Sequence, residues 1–126
     1  MASQSDYGRG AFRILQVAFV IVPILAGLDK FFYILTNWSQ YMSPYATSVL
    51  HGHDRAFLYA VGVVEIIAGL GIIFKPKVFA YIVFLWLILI IVNLLMQGIY
   101  YDIALRDFGL MLSALALGRL SHRYAV

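Results

Sequence analysis

Glu65 is the residue in this chain best placed to do chemistry, because it lies near the middle of residues 56–74, an otherwise uncharged and almost entirely apolar stretch. An ionisable side chain inside a membrane-spanning helix costs about 2.5 kcal/mol or more, so it usually faces a partner, a cavity or a path for protons or substrate. Two interpretations of Glu65 therefore stand side by side: a buried structural ion pair, or a group that binds a ligand and exchanges its protons.

Polar side chains from the other apolar stretches are expected to meet Glu65 at a similar depth. A helix rises about 1.5 Å per residue, which puts Lys30, Asn93 and Arg106 about 6 to 12 Å from the same end of their helices, with Glu65 slightly deeper. A carboxylate without its full set of partners in a low dielectric tends to hold a proton, and this is our hypothesis for Glu65. The predicted ligand pocket consists of Asp29, Lys30, Glu65, Asn93, Gln97, Arg106 and Asp107.

Glycines at helical spacing from these polar residues predict where the helices pack closely. Residues three, four and seven apart share one face of a helix. Small residues on such a face let neighbouring membrane helices approach each other. The predicted packing positions are Gly27, Gly62, Gly69 and Gly109.

Other reactive side chains give weaker signals. His51 and His53 precede Asp54, and imidazole and carboxylate groups are suitable ligands for a divalent cation. A pair of solvated loop histidines is the alternative explanation, so we predict no metal centre. The chain has no cysteine, which excludes thiol relays, thiolate metal sites and covalent haem attachment. We predict no intrinsic cofactor and no catalytic residue, and leave open whether the chain belongs to an enzyme.

The elements that must position these residues are membrane-spanning helices. Of the 126 residues, 63% are hydrophobic and only 12% are charged, a composition outside the range of soluble domains. A span needs about 20 residues, so residues 1–126 hold one membrane domain and little else. The prediction is an all-α, integral membrane four-helix bundle with a short interfacial segment between helices 1 and 2. The predicted spans are residues 12–35, 56–74, 78–101 and 102–120, and an amphipathic helix is the alternative for the last.

The distribution of cations predicts the orientation of the bundle. Three cations, Lys30, Arg55 and Arg106, fall on one side of the spans and six on the other. Cytoplasmic loops carry the excess of Lys and Arg, so both termini are expected in the cytoplasm. The basic balance follows from topology and requires no nucleic-acid partner. The six cations on the predicted inner side are Arg9, Arg13, Lys75, Lys77, Arg119 and Arg123.

Three short motifs resemble the DoxX-like family of small four-helix membrane proteins. They are Gly-Leu-Asp-Lys at residues 27–30, Glu-Ile-Ile-Ala-Gly-Leu-Gly at 65–71 and Asp-Ile-Ala-Leu-Arg-Asp at 102–107, in a match that extends over residues 12–120. The resemblance implies a compact bundle in a prokaryotic cytoplasmic membrane. Members of that family include a membrane subunit of thiosulfate:quinone oxidoreductase, which makes a quinone a candidate ligand. The family-type positions carried over are Gly27, Lys30, Glu65, Gly69 and Asp107.

Three functions remain open from the sequence. The first is a non-catalytic accessory subunit of a larger membrane complex, one that transfers electrons. The alternative is a quinone-linked oxidoreductase subunit with a headgroup pocket around Glu65, and the second alternative is a small-solute carrier or channel. The expected partners are the lipid bilayer and either other membrane subunits or further copies of the chain.

Overall fold

The computed structural model describes residues 4–125, which form helices and the turns that join them. Four of the helices are long. The connecting segment, residues 33–53, joins the first long helix to the second and contains a single-turn 3-10 helix, Trp38–Tyr41. The predicted fold class, all-α with four long helices and a short segment after the first, is confirmed. The helices are α1 (Gln4–Phe32), α2 (Pro44–Leu50), α3 (Asp54–Phe74), α4 (Pro76–Gln97) and α5 (Tyr101–Tyr124).

The long helices pack in two pairs, α1 along α3 and α4 along α5, and contacts between α3 and α4 and between α1 and α5 close the bundle. Each helix runs opposite to its neighbours. Phe12 near the start of α1 meets Tyr124 at the end of α5, with ring centroids 6.2 Å apart. The apolar core lies towards this end of the bundle and contains Phe12, Phe19, Ile72, Ala80, Val83, Leu87, Ala114 and Leu117.

Proline and glycine set the boundaries of α4. Pro76 occupies its first turn, where a missing amide proton costs nothing because that amide has no helical acceptor. Gly98 ends it with a φ of 74°, a left-handed conformation that glycine adopts without strain. The third predicted span extends to residue 101, whereas α4 ends at Gln97, and the bounds of this span stay a prediction.

Three helices are long and apolar enough to cross a membrane: Asp6–Phe32 within α1, and all of α3 and α4. The chain is thus a multi-pass membrane protein by helix length and hydropathy, and these helices imply contact with a lipid bilayer. Helix α5 has 24 residues, enough to span, but it is not among the three. A fourth span at residues 102–120 stays a prediction.

Candidate functional site

Lys30 of α1 and Glu65 of α3 form a buried ion pair. Lys30 Nζ lies 2.8 Å from Glu65 Oε1, and the two side chains are only 6% and 12% exposed. Glycines bring the two helices together beside this pair. A Cβ on Gly27 would lie 2.5 Å from the carbonyl oxygen of Gly62, and a Cβ on Gly62 would lie 2.7 Å from that of Gly27.

Trp38 covers the ion pair from the connecting segment. The centroid of its ring lies 3.9 Å from Lys30 Nζ, a cation–π contact. Its indole Nε1 donates a hydrogen bond to Asp29 Oδ2 at 2.9 Å, and Asp29 Oδ1 accepts from the amides of Ile34 and Leu35 at 2.8 and 3.0 Å. Asp29 therefore fixes the turn after α1 and orients the tryptophan. From the sequence, Trp38 was expected only as an aromatic residue in a segment at the level of the headgroups, and its contact with the ion pair was not predicted.

Asn93 and Gln97 of α4 bind the connecting segment. Both side-chain amides donate to the carbonyl oxygen of Tyr41. Asn93 Oδ1 also accepts from the backbone amide of Ser43 at 2.9 Å. These bonds satisfy backbone groups that a non-helical segment leaves without partners. They also hold the connecting segment against the end of α4.

Arg106 and Asp107 of α5 point in different directions. Residues adjacent along a helix do not face each other, and the Arg106 side chain is 70% exposed whereas that of Asp107 is 9% exposed. Arg106 Nε nevertheless lies 3.6 Å from Asp107 Oδ1. The seven residues of the predicted pocket thus fall into three contact groups: Asp29, Lys30 and Glu65 with Trp38; Asn93 and Gln97 with Tyr41; and Arg106 with Asp107.

Three of the four predicted packing glycines lie between α1 and α3. Gly69 joins Gly27 and Gly62 there, since a Cβ on Gly69 would lie 2.9 Å from the carbonyl oxygen of Val20. Gly109 is exposed instead, and among residues 4–125 a Cβ on it would meet nothing within 4 Å. Gly118, which the sequence analysis missed, is buried on α5, and a Cβ there would lie 2.9 Å from the Tyr81 ring.

The two loop histidines are exposed. His53 Nδ1 is 3.0 Å from the carbonyl oxygen of Leu50, and His51 adopts a φ of 50° in the turn before α3. Within the part of the chain that the structure describes, no three His, Cys, Asp or Glu side chains are grouped so that they could hold a metal ion.

Two concave surfaces lie near the connecting segment. A polar cleft of about 580 Å³ opens where α1 ends and α3 begins, and Asp54 and Arg55 are among its lining residues. An apolar groove of about 420 Å³ lies between α2, α3 and α4, with Asn93 at its wall. Neither surface is lined by Lys30 or Glu65.

Comparison with known proteins gives no relative from which to transfer a function. No protein-family model matches this sequence, no curated protein matches it, and no solved structure matches it. The chain is a small all-helical protein with three candidate membrane-spanning helices, and these comparisons identify no family for it.

Proposed function

We propose that this chain is a small, non-catalytic accessory subunit that binds a larger electron-transferring membrane complex, as its resemblance to the DoxX-like family implies. The observation that carries the proposal is the outward face of α5. Leu105, Gly109, Leu112 and Ala116 follow one another at intervals of four, three and four residues, and all are exposed. Arg106 beside them is 70% exposed. Asp107 Oδ1 lies 3.6 Å from its Nε, and a protein partner would supply acceptors for the other N–H groups of the guanidinium, which lipid chains do not.

Gly109 leaves an open position on this face of α5. Because a Cβ there would meet nothing within 4 Å among the described residues, the backbone of α5 is open to close approach by another helix. Small residues with open space around them are the usual means by which membrane helices associate. The partner is therefore a membrane protein with a helix that packs along α5.

The polar side chains in the bundle support a structural function as well. Glu65 Oε1 is paired with Lys30, Trp38 covers the ammonium, and both Asn93 and Gln97 donate to Tyr41. Polar side chains that are paired or hydrogen-bonded within the bundle stabilise the fold. A subunit of this kind contributes a rigid helical surface to its complex.

A glycine-to-leucine exchange tests the proposal. Gly109→Leu should leave the chain folded and remove its stoichiometric partner in native mass spectrometry after gentle extraction from the native membrane. Gly10→Leu is the matched control, since Gly10 is also exposed within a long helix, and among residues 4–125 a Cβ there would meet nothing within 4 Å. Wild-type protein that is extracted alone, or only as copies of itself, would contradict the proposal, and so would a Gly109→Leu variant that keeps its partner.

A quinone-linked subunit remains the second candidate, and the apolar groove favours it. The groove is about 420 Å³ in volume, and Asn93 lines it between Val92 and Met96. The Asn93 amide has two N–H groups and donates to Tyr41, and we infer that its other N–H donates to a quinone carbonyl in the groove. In this alternative the headgroup would bind beside Asn93, in contrast to the pocket around Glu65 that we expected from the sequence. Lipid extracts of purified protein should then contain a quinone that Asn93→Leu removes and Glu65→Gln does not.

A further inference from the structure

The cleft between the end of α1 and the start of α3 carries a carboxylate and a guanidinium side by side. It measures about 580 Å³, far more than one water molecule needs. Phe32 and Leu58 supply apolar surface, and the remaining lining residues, all polar or charged, are Tyr33, Asn37, Ser39, Asp54 and Arg55. A molecule that fits this lining has both charges and an apolar part.

Asp54 leaves part of its hydrogen-bonding capacity unused. Its Oδ1 is buried and has no hydrogen-bond partner among the described residues. A carboxylate in which one oxygen lacks a donor is poorly solvated. Oδ1 itself is closed to solvent, so a cation in the cleft would stabilise this carboxylate by its opposite charge and by N–H bonds to the part of Asp54 that lines the cleft.

Arg55 is held at the same cleft by Tyr33. Its Cζ lies 5.4 Å from the centroid of the Tyr33 ring. Tyr33 has a φ of 54°, a left-handed conformation that bulky residues rarely adopt and that persists only when its surroundings enforce it. Asp29 enforces it by accepting the amides of Ile34 and Leu35. The guanidinium so placed is suited to a phosphate, which it can bind through two N–H groups.

The cleft also lies at the ends of two candidate membrane spans, where lipid headgroups are expected. The candidate span in α1 ends at Phe32 and that in α3 begins at Asp54, so both border the cleft. Above the hydrocarbon, a bilayer presents phosphates and ammonium groups. Phe32, which lines the cleft, is exposed at the end of α1, and an acyl chain can lie against it.

We propose that this cleft binds the phosphoethanolamine headgroup of a phospholipid, with the ammonium at Asp54 and the phosphate at Arg55. A primary ammonium donates three hydrogen bonds, whereas the trimethylated ammonium of choline donates none. Asp54 therefore distinguishes the two lipids. Arg55 contacts a group that both lipids share.

Native mass spectrometry in micelles with equal amounts of phosphatidylethanolamine and phosphatidylcholine of the same acyl chains tests this assignment. The ethanolamine lipid should bind about tenfold more than the choline lipid, as one charge-assisted hydrogen bond predicts. Asp54→Asn should bring that ratio close to one, and Arg55→Gln should reduce both adducts. Asp102→Asn is the matched control, because Asp102 is an exposed acid in the first turn of α5, and it should keep the wild-type ratio.

Equal binding of the two lipids by the wild-type chain would overturn the proposal. So would an unchanged ratio in Asp54→Asn that retains the wild-type circular dichroism spectrum. Soluble phosphoethanolamine should not displace the lipid at millimolar concentration, because it lacks the acyl chains. Displacement would assign the cleft to a free metabolite and overturn the lipid assignment.

Discussion

At the scale of single residues, the arrangement around Glu65 is that of an ion pair with a fixed geometry. The ammonium of Lys30 has the carboxylate at 2.8 Å on one side and the Trp38 ring at 3.9 Å on another. Removing two charges from water is costly, and attraction repays that cost only when the geometry is good. The pair is therefore expected to make the packing of α1 against α3 specific, with little net gain in stability.

Replacing one residue of this ion pair should lower the stability of the protein more than replacing both. Glu65→Gln leaves the buried ammonium without a counter-charge and should destabilise the protein by about 3 kcal/mol. The double variant Lys30→Met/Glu65→Leu, which has no buried charge, should recover most of that loss. Thermal unfolding followed by circular dichroism in one detergent measures both. A double variant no more stable than Glu65→Gln would contradict this account.

The proximity of Lys30 to Glu65 could be predicted from the sequence, whereas the position of Trp38 over the ion pair could not. Helical rise and the spacing of Gly27 and Gly62 place the two charges at one depth on facing helices. Trp38 belongs to a segment without helical periodicity, so its path depends on bonds to Asp29 that no pattern encodes. Charge counting also could not show that Arg106 points outwards, since it ignores the direction of each side chain.

At the scale of helices, α1 and α3 are held together by backbone contact at glycines. A Cβ on Gly62 would lie 2.7 Å from the carbonyl oxygen of Gly27, which is a rigid neighbour. Gly62→Ala should therefore force the helices apart and cost about 2 kcal/mol. Gly109→Ala, in open space on α5, should instead gain up to about 1 kcal/mol from helix propensity. Chemical denaturation measures the free energy of unfolding of both variants. Equal changes in that free energy would contradict a close backbone contact at Gly62.

Two side chains of α4 share one acceptor in the connecting segment, the carbonyl oxygen of Tyr41. Asn93 and Gln97 both donate to it. Loss of one donor leaves this carbonyl satisfied by the other, but loss of both leaves it unpaired, which costs about 1 to 3 kcal/mol. Asn93→Leu and Gln97→Leu together should thus destabilise by about 1 kcal/mol more than the sum of the single changes. A double-mutant cycle by thermal unfolding tests this, and strict additivity would mean that the bonds are independent.

Sequence patterns predicted the four long helices well and their ends less well. Long apolar stretches and the Lys75-Pro76 boundary define α3 and α4 without ambiguity. Helix α1 extends back to Gln4, through polar residues that the predicted span at 12–35 excludes, because helix formation does not require a hydrophobic sequence. Its other end lies at Phe32, where Tyr33 turns the chain. That turn depends on the contacts of Asp29 rather than on a glycine or proline signal.

At the scale of the whole molecule, the antiparallel packing links the membrane topology of α5 to that of the other helices. Arg9 lies 6.0 Å from the Tyr124 ring, so the start of α1 and the end of α5 share one end of the bundle. If α1, α3 and α4 each cross the membrane, a helix packed along α4 that returns to the start of α1 must cross it too. Both termini are then on one side, in agreement with the excess of Lys and Arg predicted there.

Single cysteines can test this topology without background, because the chain has none of its own. Gly10→Cys and Arg123→Cys should react with a membrane-impermeant maleimide only in inverted vesicles, and His51→Cys only in right-side-out vesicles, since all three positions are exposed. As a control for the intrinsic reactivity of each introduced cysteine, every variant should react fully once it is unfolded in detergent. Labelling of positions 123 and 51 from the same side would mean that α5 does not cross. Arg106 would then meet water and would no longer require a partner within the membrane.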